Sequence, residues 1–218
     1  MATNASAPFG LRPWRHKSGA PYNGSFRLYY VPSTDSTALY IGDPVTTAGA
    51  SAGTSLGSNA AAYYGNFPGT LPICKLATAG DGNPIIGAVI GFFAEQAAST
   101  VYRAASTARG VMVADDPDLE YRIMDDGVAT LLIGAGAGSS LYATGNNGNL
   151  NLSTYSGSTA TGMSGATLST TLSTSGASTG QLKILGLATD VKNNSNTANA
   201  VWRVMINNHL LQPGTTGY

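Results

Sequence analysis

Gly110-Val111-Met112-Val113-Ala114-Asp115-Asp116-Pro117-Asp118-Leu119-Glu120-Tyr121-Arg122-Ile123-Met124-Asp125-Asp126-Gly127 is the stretch that sets the fold class. Its two apolar segments, 110–114 and 119–124, are too short for helices and are rich in β-formers. Between them stand three aspartates and a proline, all turn residues. In 119–124 apolar and charged residues alternate at the start, the period of a strand with one buried face. Asp125-Asp126-Gly127 is a hairpin signal of the Asp-Gly type, and 128–133 (VATLLI) reads as the returning strand. The stretch predicts a three-stranded meander.

Working outward, Ile85-Ile86-Gly87-Ala88-Val89-Ile90-Gly91-Phe92-Phe93 is the most apolar run of the chain and follows the turn Gly80-Asp81-Gly82-Asn83-Pro84. It fits a strand buried on both faces, at the centre of the core. Residues 25–31 (SFRLYYV) predict a strand with Phe26, Leu28 and Tyr30 on one face; 38–41 predict a short second strand ended by Gly42-Asp43-Pro44, after which Val45 restarts pairing. Pro72 favours an edge or entry position for a strand over 71–76. Residues 94–105 (AEQAASTVYRAA) are the best helix candidate, with a loop returning to a strand as the alternative.

From 134 to 180 the composition shifts to Gly, Ser, Thr, Asn and Ala. Apolar residues still recur there every few positions, and structureless loops of such length are uncommon inside compact domains. This segment reads as an insertion ordered in part by packing or by a partner. Strand character returns at 182–187 and 200–206. About nine or ten short strands separated by turns predict an all-β fold, an antiparallel sandwich or barrel of jelly-roll-like type. Its expected parts are an extended N-terminal arm (1–25), a β core (26–133), the insertion (134–180) and C-terminal strands completing the core (181–218).

Charged residues make up only 10% of the 218, against roughly 25% in an average domain, and the net charge is zero. So little charge suggests a surface made for contact; the plainer alternative is a surface covered by Ser, Thr and Asn. Neutrality argues against a nucleic-acid binder, which normally carries a basic excess. Cys74 is the only cysteine, so the chain holds no internal disulfide and no zinc framework of cysteines. No signal peptide is expected, since no basic n-region precedes an apolar h-region, and no membrane span, since no run approaches about 18 uninterrupted apolar residues.

The acidic residues Asp115, Asp116, Asp118, Glu120, Asp125 and Asp126 are the first place to look for chemistry. Their spacing is not that of a calcium loop, and nothing places two carboxylates across a sugar-sized gap. They read as turn residues, with Asp115, Asp116, Asp118, Asp125 and Asp126 as possible inter-subunit contacts to a basic partner. Gly134-Ala135-Gly136-Ala137-Gly138 lacks the third glycine of a dinucleotide fingerprint, because Ser139 stands there. Cys74 in an apolar strand reads as a small buried hydrophobe, and a Cys74–His209 dyad has no motif behind it. The expectation is no catalytic set, no metal and no cofactor.

The N-terminal segment Ala7-Pro8-Phe9-Gly10-Leu11-Arg12-Pro13-Trp14-Arg15-His16-Lys17-Ser18-Gly19-Ala20-Pro21-Tyr22-Asn23-Gly24 combines three prolines and three glycines with aromatic residues that a solvated tail does not need. No acidic residue precedes Asp35. It reads as an arm that lies on a surface, with Phe9, Leu11, Arg12, Trp14, Arg15, Lys17 and Tyr22 as its contacts. A protein surface is the first reading; nucleic acid stacked on Trp14, or the arm's own domain, are the others.

Together with Tyr40-Ile41-Gly42-Asp43-Pro44-Val45, Val113-Ala114-Asp115-Asp116-Pro117 and Ile206-Asn207-Asn208-His209, the quoted 7–13 and 19–24 segments resemble the cement or decoration proteins of tailed-bacteriophage heads. The resemblance covers the arm, the core strands and the last strand, but not 134–180. It implies a β-rich structural virion protein, made in the host cytoplasm and bound outside a capsid. There it would bridge major capsid protein subunits as a small homo-oligomer; since twofold contacts are the commonest, a dimer is expected before a trimer. The charge and hydropathy already read leave neither membrane nor nucleic acid as an expected partner. A head-fibre or glycan-binding receptor module is the alternative.

Overall fold

The computed structural model describes residues 4–48, 71–93, 100–127, 149–153, 155–172, 180–190, 193 and 197–212, and in these the chain forms eleven strands and no helix. One antiparallel sheet has six strands in the order β1 (Arg12–His16), β7 (Leu119–Met124), β11 (Val201–Ile206), β10 (Leu182–Leu187), β8 (Asn149–Leu152) and β9 (Leu168–Leu172). The other has five, in the order β2 (Arg27–Val31), β6 (Arg109–Ala114), β5 (Gly87–Phe92), β3 (Pro44–Thr47) and β4 (Cys74–Leu76). The two pack as a β-sandwich, and both curl. The Tyr30 amide reaches the Pro72 carbonyl at 2.9 Å, bringing the β2 and β4 edges together, and the Asp126 amide reaches the Leu168 carbonyl at 3.0 Å.

Alternation explains which residues fill the core. On β7, Leu119, Tyr121 and Ile123 point inward; on β11, Trp202, Val204 and Ile206 do so. With Leu182, Leu150 and Leu168 they make the larger apolar cluster. A second cluster lies in the five-stranded sheet around Tyr29, Val31, Val45, Val111 and Val113. The apolar run beginning at Ile85 serves both: Ile85 and Ala88 join the first cluster, Ile86 and Val89 the second. A segment buried on both faces has no polar face to show, which is why it reads as unbroken.

Several local expectations are corrected. Strands β6 and β7 do not pair; they lie in different sheets, so 115–118 is a corner between layers and not a hairpin loop. The expected third strand, 128–133, lies outside the described residues. Residues 38–41 form only single bridges, Leu39 to Arg103 and Ile41 to Met163. In β2 the buried side chains are Tyr29, Tyr30 and Val31, while Phe26 is 46% exposed. Residues 94–99 are outside the described set, and 100–105 carry no helix. The stretch 134–180 is not merely an insertion: β8 and β9 arise from it and complete the six-stranded sheet.

Two loops are tied to each other by one buried cation. Arg103, fully buried, donates from Nε to the Thr107 carbonyl (2.7 Å), from Nη2 to those of Pro32 and Asp35 (both 2.8 Å), and from Nη1 to that of Thr37. The Asp35 carboxylate lies 3.6 Å away. A guanidinium is tolerated without water when its donors are met in this way.

Candidate functional site

The N-terminal segment folds back on its own domain. The Leu11 amide donates to the Gly42 carbonyl at 2.8 Å, and its side chain is wholly buried in the larger core cluster. Gly10 makes this approach possible: its φ is +73°, and a Cβ there would overlap the Gly42 carbonyl oxygen. The chain then enters β1, pairs with β7, and turns back so that the His16 amide meets the Ala20 carbonyl (2.8 Å) and the Tyr22 amide meets that of Trp14 (3.1 Å). That return partly covers the outer edge of β1, the usual remedy for an exposed edge strand. The extended arm is therefore corrected to an edge strand with a hairpin-like return.

A register shift between Pro13 and Arg15 marks a bulge in β1. Bulges re-aim side chains, and here Trp14 and Arg15 both lie against the outer face of the sheet. Arg12, Arg122 and Arg203 are register partners on three adjacent strands, a row of cations across β1, β7 and β11. Like charges so placed repel. Two features offset the repulsion. The Trp14 ring carries the Arg15 guanidinium at 4.4 Å, that of Arg122 at 4.5 Å and that of Arg203 at 5.8 Å from its centroid. Carboxylates supply the rest: Glu120 Oε2 lies 2.8 Å from Arg15 Nε and 4.0 Å from Arg203 Nη1, and Asp190 Oδ2 lies 2.9 Å from Arg122 Nη1.

Beside the ring opens a cleft of about 390 Å³ with Phe9, Pro13, Trp14 and Val201 as apolar wall and Arg12, Arg122 and Asp190 as polar rim. Arg12 is exposed and makes no ion pair among the described residues. The Nε atoms of Arg122 and Arg203 are shielded from solvent and donate to no oxygen. Four guanidiniums face two carboxylates, a local charge of +2 on a chain whose total is zero.

The segment's seven expected contact residues are thus divided. Phe9, Arg12 and Trp14 meet at the cleft, Arg15 is held by Glu120, and Lys17 is exposed with its amide donating to the Asp118 carbonyl at 2.7 Å. Leu11 belongs to the core and Tyr22 packs against it, so neither is free to anchor in a partner.

The acidic residues are mostly engaged within the chain. Asp115 accepts the Tyr29 hydroxyl at 2.8 Å and lies 3.3 Å from Arg27; Asp116 lies 3.1 Å from His16 Nδ1 and caps the Asp118 amide at 2.8 Å. Asp126 accepts from the amide and hydroxyl of Thr170. Asp125 is only 1% exposed and accepts the indole N–H of Trp202 at 3.1 Å, with the Asn199, Ala200 and Gly127 amides around it. As an inter-subunit contact Asp125 is corrected: its carboxylate braces the end of β7 against β11. Burial pushes the Cys74 thiol up to about 12, so no thiolate is available for a Cys74–His209 dyad.

Sequence reading alone did not select Arg122, Arg203 or Asp190. The first two carried a usable signal: Glu120 and Arg122, like Arg203, are the outward members of alternating strands. Asp190 carried none, since it sits in irregular chain after β10. Among the described residues, no group of three or more His, Cys, Asp or Glu is placed to hold a metal ion. Compared with protein-family models, curated proteins and solved structures, the chain matches none.

Proposed function

We propose that this protein is a structural component of a tailed-bacteriophage virion that binds the outside of the capsid and cements major capsid protein subunits. The carrying observation is the outer face of β1, β7 and β11, where Trp14 lies within cation–π reach of three guanidiniums beside an open cleft. Aromatic and arginine side chains clustered on a rigid sheet are the usual makings of a protein-binding hot spot. The resemblance of the 7–13, 19–24, 40–45, 113–117 and 206–209 segments to head cement proteins points the same way. On a shell presenting many equivalent sites, a small homo-oligomer gains avidity from individually modest contacts, and a dimer is the simplest symmetric form.

Deleting the N-terminal segment is a poor test, because it removes Leu11 from the core and β1 from the sheet. Arg12→Glu with Lys17→Glu alters only exposed side chains. Heads of the parent phage lacking the protein are mixed with wild type or this variant and sedimented. Wild type should co-sediment and raise the temperature at which heads release DNA, and the variant should do neither. Failure of wild type to bind heads, with saturable binding to a glycan on an array, would favour the receptor-module alternative and overturn the proposal.

A further inference from the structure

The sequence suggests an arm that lies on a partner's surface with its aromatics among the contacts; the geometry gives those aromatics the opposite part. Trp14 and Phe9 do not project. They line a concavity, so the partner must supply the inserted group. We infer that the cleft beside Trp14 receives a carboxylate side chain from an acidic, partly apolar segment of the partner, and that Asp190 is a resident competitor for it. The inference rests on the proposed role of this face as the capsid contact, and names the chemistry of what docks there.

Three observations carry it. The cleft has an apolar wall, but its rim holds an exposed guanidinium, Arg12, with no ion pair among the described residues and a second, Arg122, of which only Nη1 is engaged by a carboxylate. A planar guanidinium fork presents donors in the geometry that a carboxylate accepts. Asp190, its side chain 51% exposed, already demonstrates the fit: its Oδ2 stands 2.9 Å from Arg122 Nη1. An exposed ion pair is worth little, so an incoming carboxylate that engages Arg12 and Arg122 together displaces it at small cost. Size agrees, since about 390 Å³ is at the lower end for ligand clefts and admits an acidic side chain with an apolar neighbour. A phosphate backbone fits less well. It would run past Asp190 and Glu120, and the row of Arg12, Arg122 and Arg203 spans only three strands and is partly neutralised by those carboxylates.

The test uses the full ¹⁵N-labelled chain and a blocked peptide, acetyl-Gly-Asp-Leu-Asp-Gly-amide, with its Asn-for-Asp counterpart and inorganic phosphate as comparisons. The two indole N–H signals report separately. Trp14 lies at the cleft, whereas the Trp202 indole is buried on Asp125 and serves as internal control. The Trp14 signal should move saturably with the Asp peptide and not with the Asn peptide, while that of Trp202 stays fixed. Asp190→Asn should tighten binding about two- to fivefold, the equivalent of a surface ion pair removed from competition. Arg12→Gln should weaken it about tenfold. Equal response to both peptides, no response up to about 5 mM, weaker binding by Asp190→Asn, or tighter binding of phosphate than of peptide would each overturn the inference. Head binding without a peptide response would sink this inference alone; a peptide response without head binding would sink the capsid role alone.

Discussion

Glu120 accepts from Arg15 at 2.8 Å and, through the same oxygen, lies 4.0 Å from Arg203, so one nearly buried carboxylate sits between the first and third strands of the sheet. It offsets the cation row that β1, β7 and β11 bring together. Glu120→Gln keeps the shape and removes the charge. Breaking a fully buried pair costs about 3–5 kcal/mol; here the Arg15 side chain is 33% exposed, so about 1–2 kcal/mol is expected after solvent screening. The penalty should shrink in about 1 M salt, where screening falls to about 3 Å. Urea denaturation at low and high salt checks both statements. An unchanged midpoint at low salt would show that Trp14 and Asp190 accommodate the guanidiniums without Glu120.

Arg103 makes the stronger demand. Its guanidinium satisfies carbonyls at 32, 35, 37 and 107 simultaneously, and it is fully buried. Lysine keeps the charge but cannot present donors in a planar fork. Arg103→Lys is therefore expected to cost about 3–5 kcal/mol, and hydrogen exchange should show the 32–39 and 100–107 loops opening before either sheet. A variant within about 0.5 kcal/mol of wild type would mean that these loops are held by something other than the cation.

The same residues show what pattern reading captures. Alternation located β7, β10 and β11 because each has one uninterrupted buried face, and β5 showed instead as an unbroken apolar run. It could not say which strands pair. Val111 and Val113 are buried like Leu119 and Tyr121, and a short Asp-Asp-Pro-Asp link serves a hairpin or a corner between sheets equally well. The corner is fixed by a tertiary contact, the Tyr121 hydroxyl donating to the Ala114 carbonyl at 2.9 Å. In β8 the apolar residues do alternate, at Leu150 and Leu152, but their asparagine neighbours made the segment look like loop. The cleft was legible only in halves: Phe9, Arg12 and Trp14 stood out, whereas Asp190 reaches them only through the fold.

Asp43 and His209 are buried groups with opposite effects on the response to pH. Burial raises the Asp43 carboxyl from 3.8 to about 6, outweighing the bonds from Ser164 and the Tyr40 amide that lower it. A carboxyl raised on folding takes up protons in the native state, so its contribution is present below about pH 4 and is lost as pH rises to about 6. Burial lowers His209 from 6.5 to about 4, against the pull of Asp115 and Asp116. Its unfolded state takes up protons first, so its contribution is present above about 6.5 and is lost as pH falls to about 4. The two trends oppose each other, each about 3 kcal/mol at 1.36 kcal/mol per unit. Asp125, raised chiefly by burial, is common to every protein compared and cancels. Relative to wild type, Asp43→Asn should gain stability between pH 4 and 6, and His209→Asn should lose it. Denaturant midpoints across that range decide; parallel curves for all three proteins would contradict the assignment.

Gly10 decides whether the N-terminal segment is part of the domain. Gly10 and Gly19 both have positive φ, +73° and +92°, but their surroundings differ. A Cβ on Gly10 would overlap the Gly42 carbonyl, the acceptor of the Leu11 amide, whereas a Cβ on Gly19 meets nothing within 4 Å. Alanine at 19 should cost only the backbone term, about 1 kcal/mol. Alanine at 10 adds displacement of Leu11, whose burial is worth about 2 kcal/mol, so about 3 kcal/mol or more is expected. The loss should be local as well as global: β1 amides should exchange faster in Gly10→Ala than those of β11, because the strand's entry is no longer seated. Equal costs at the two glycines, with β1 protection unchanged, would mean that the segment is held by β-pairing alone and that its contact with Gly42 contributes nothing.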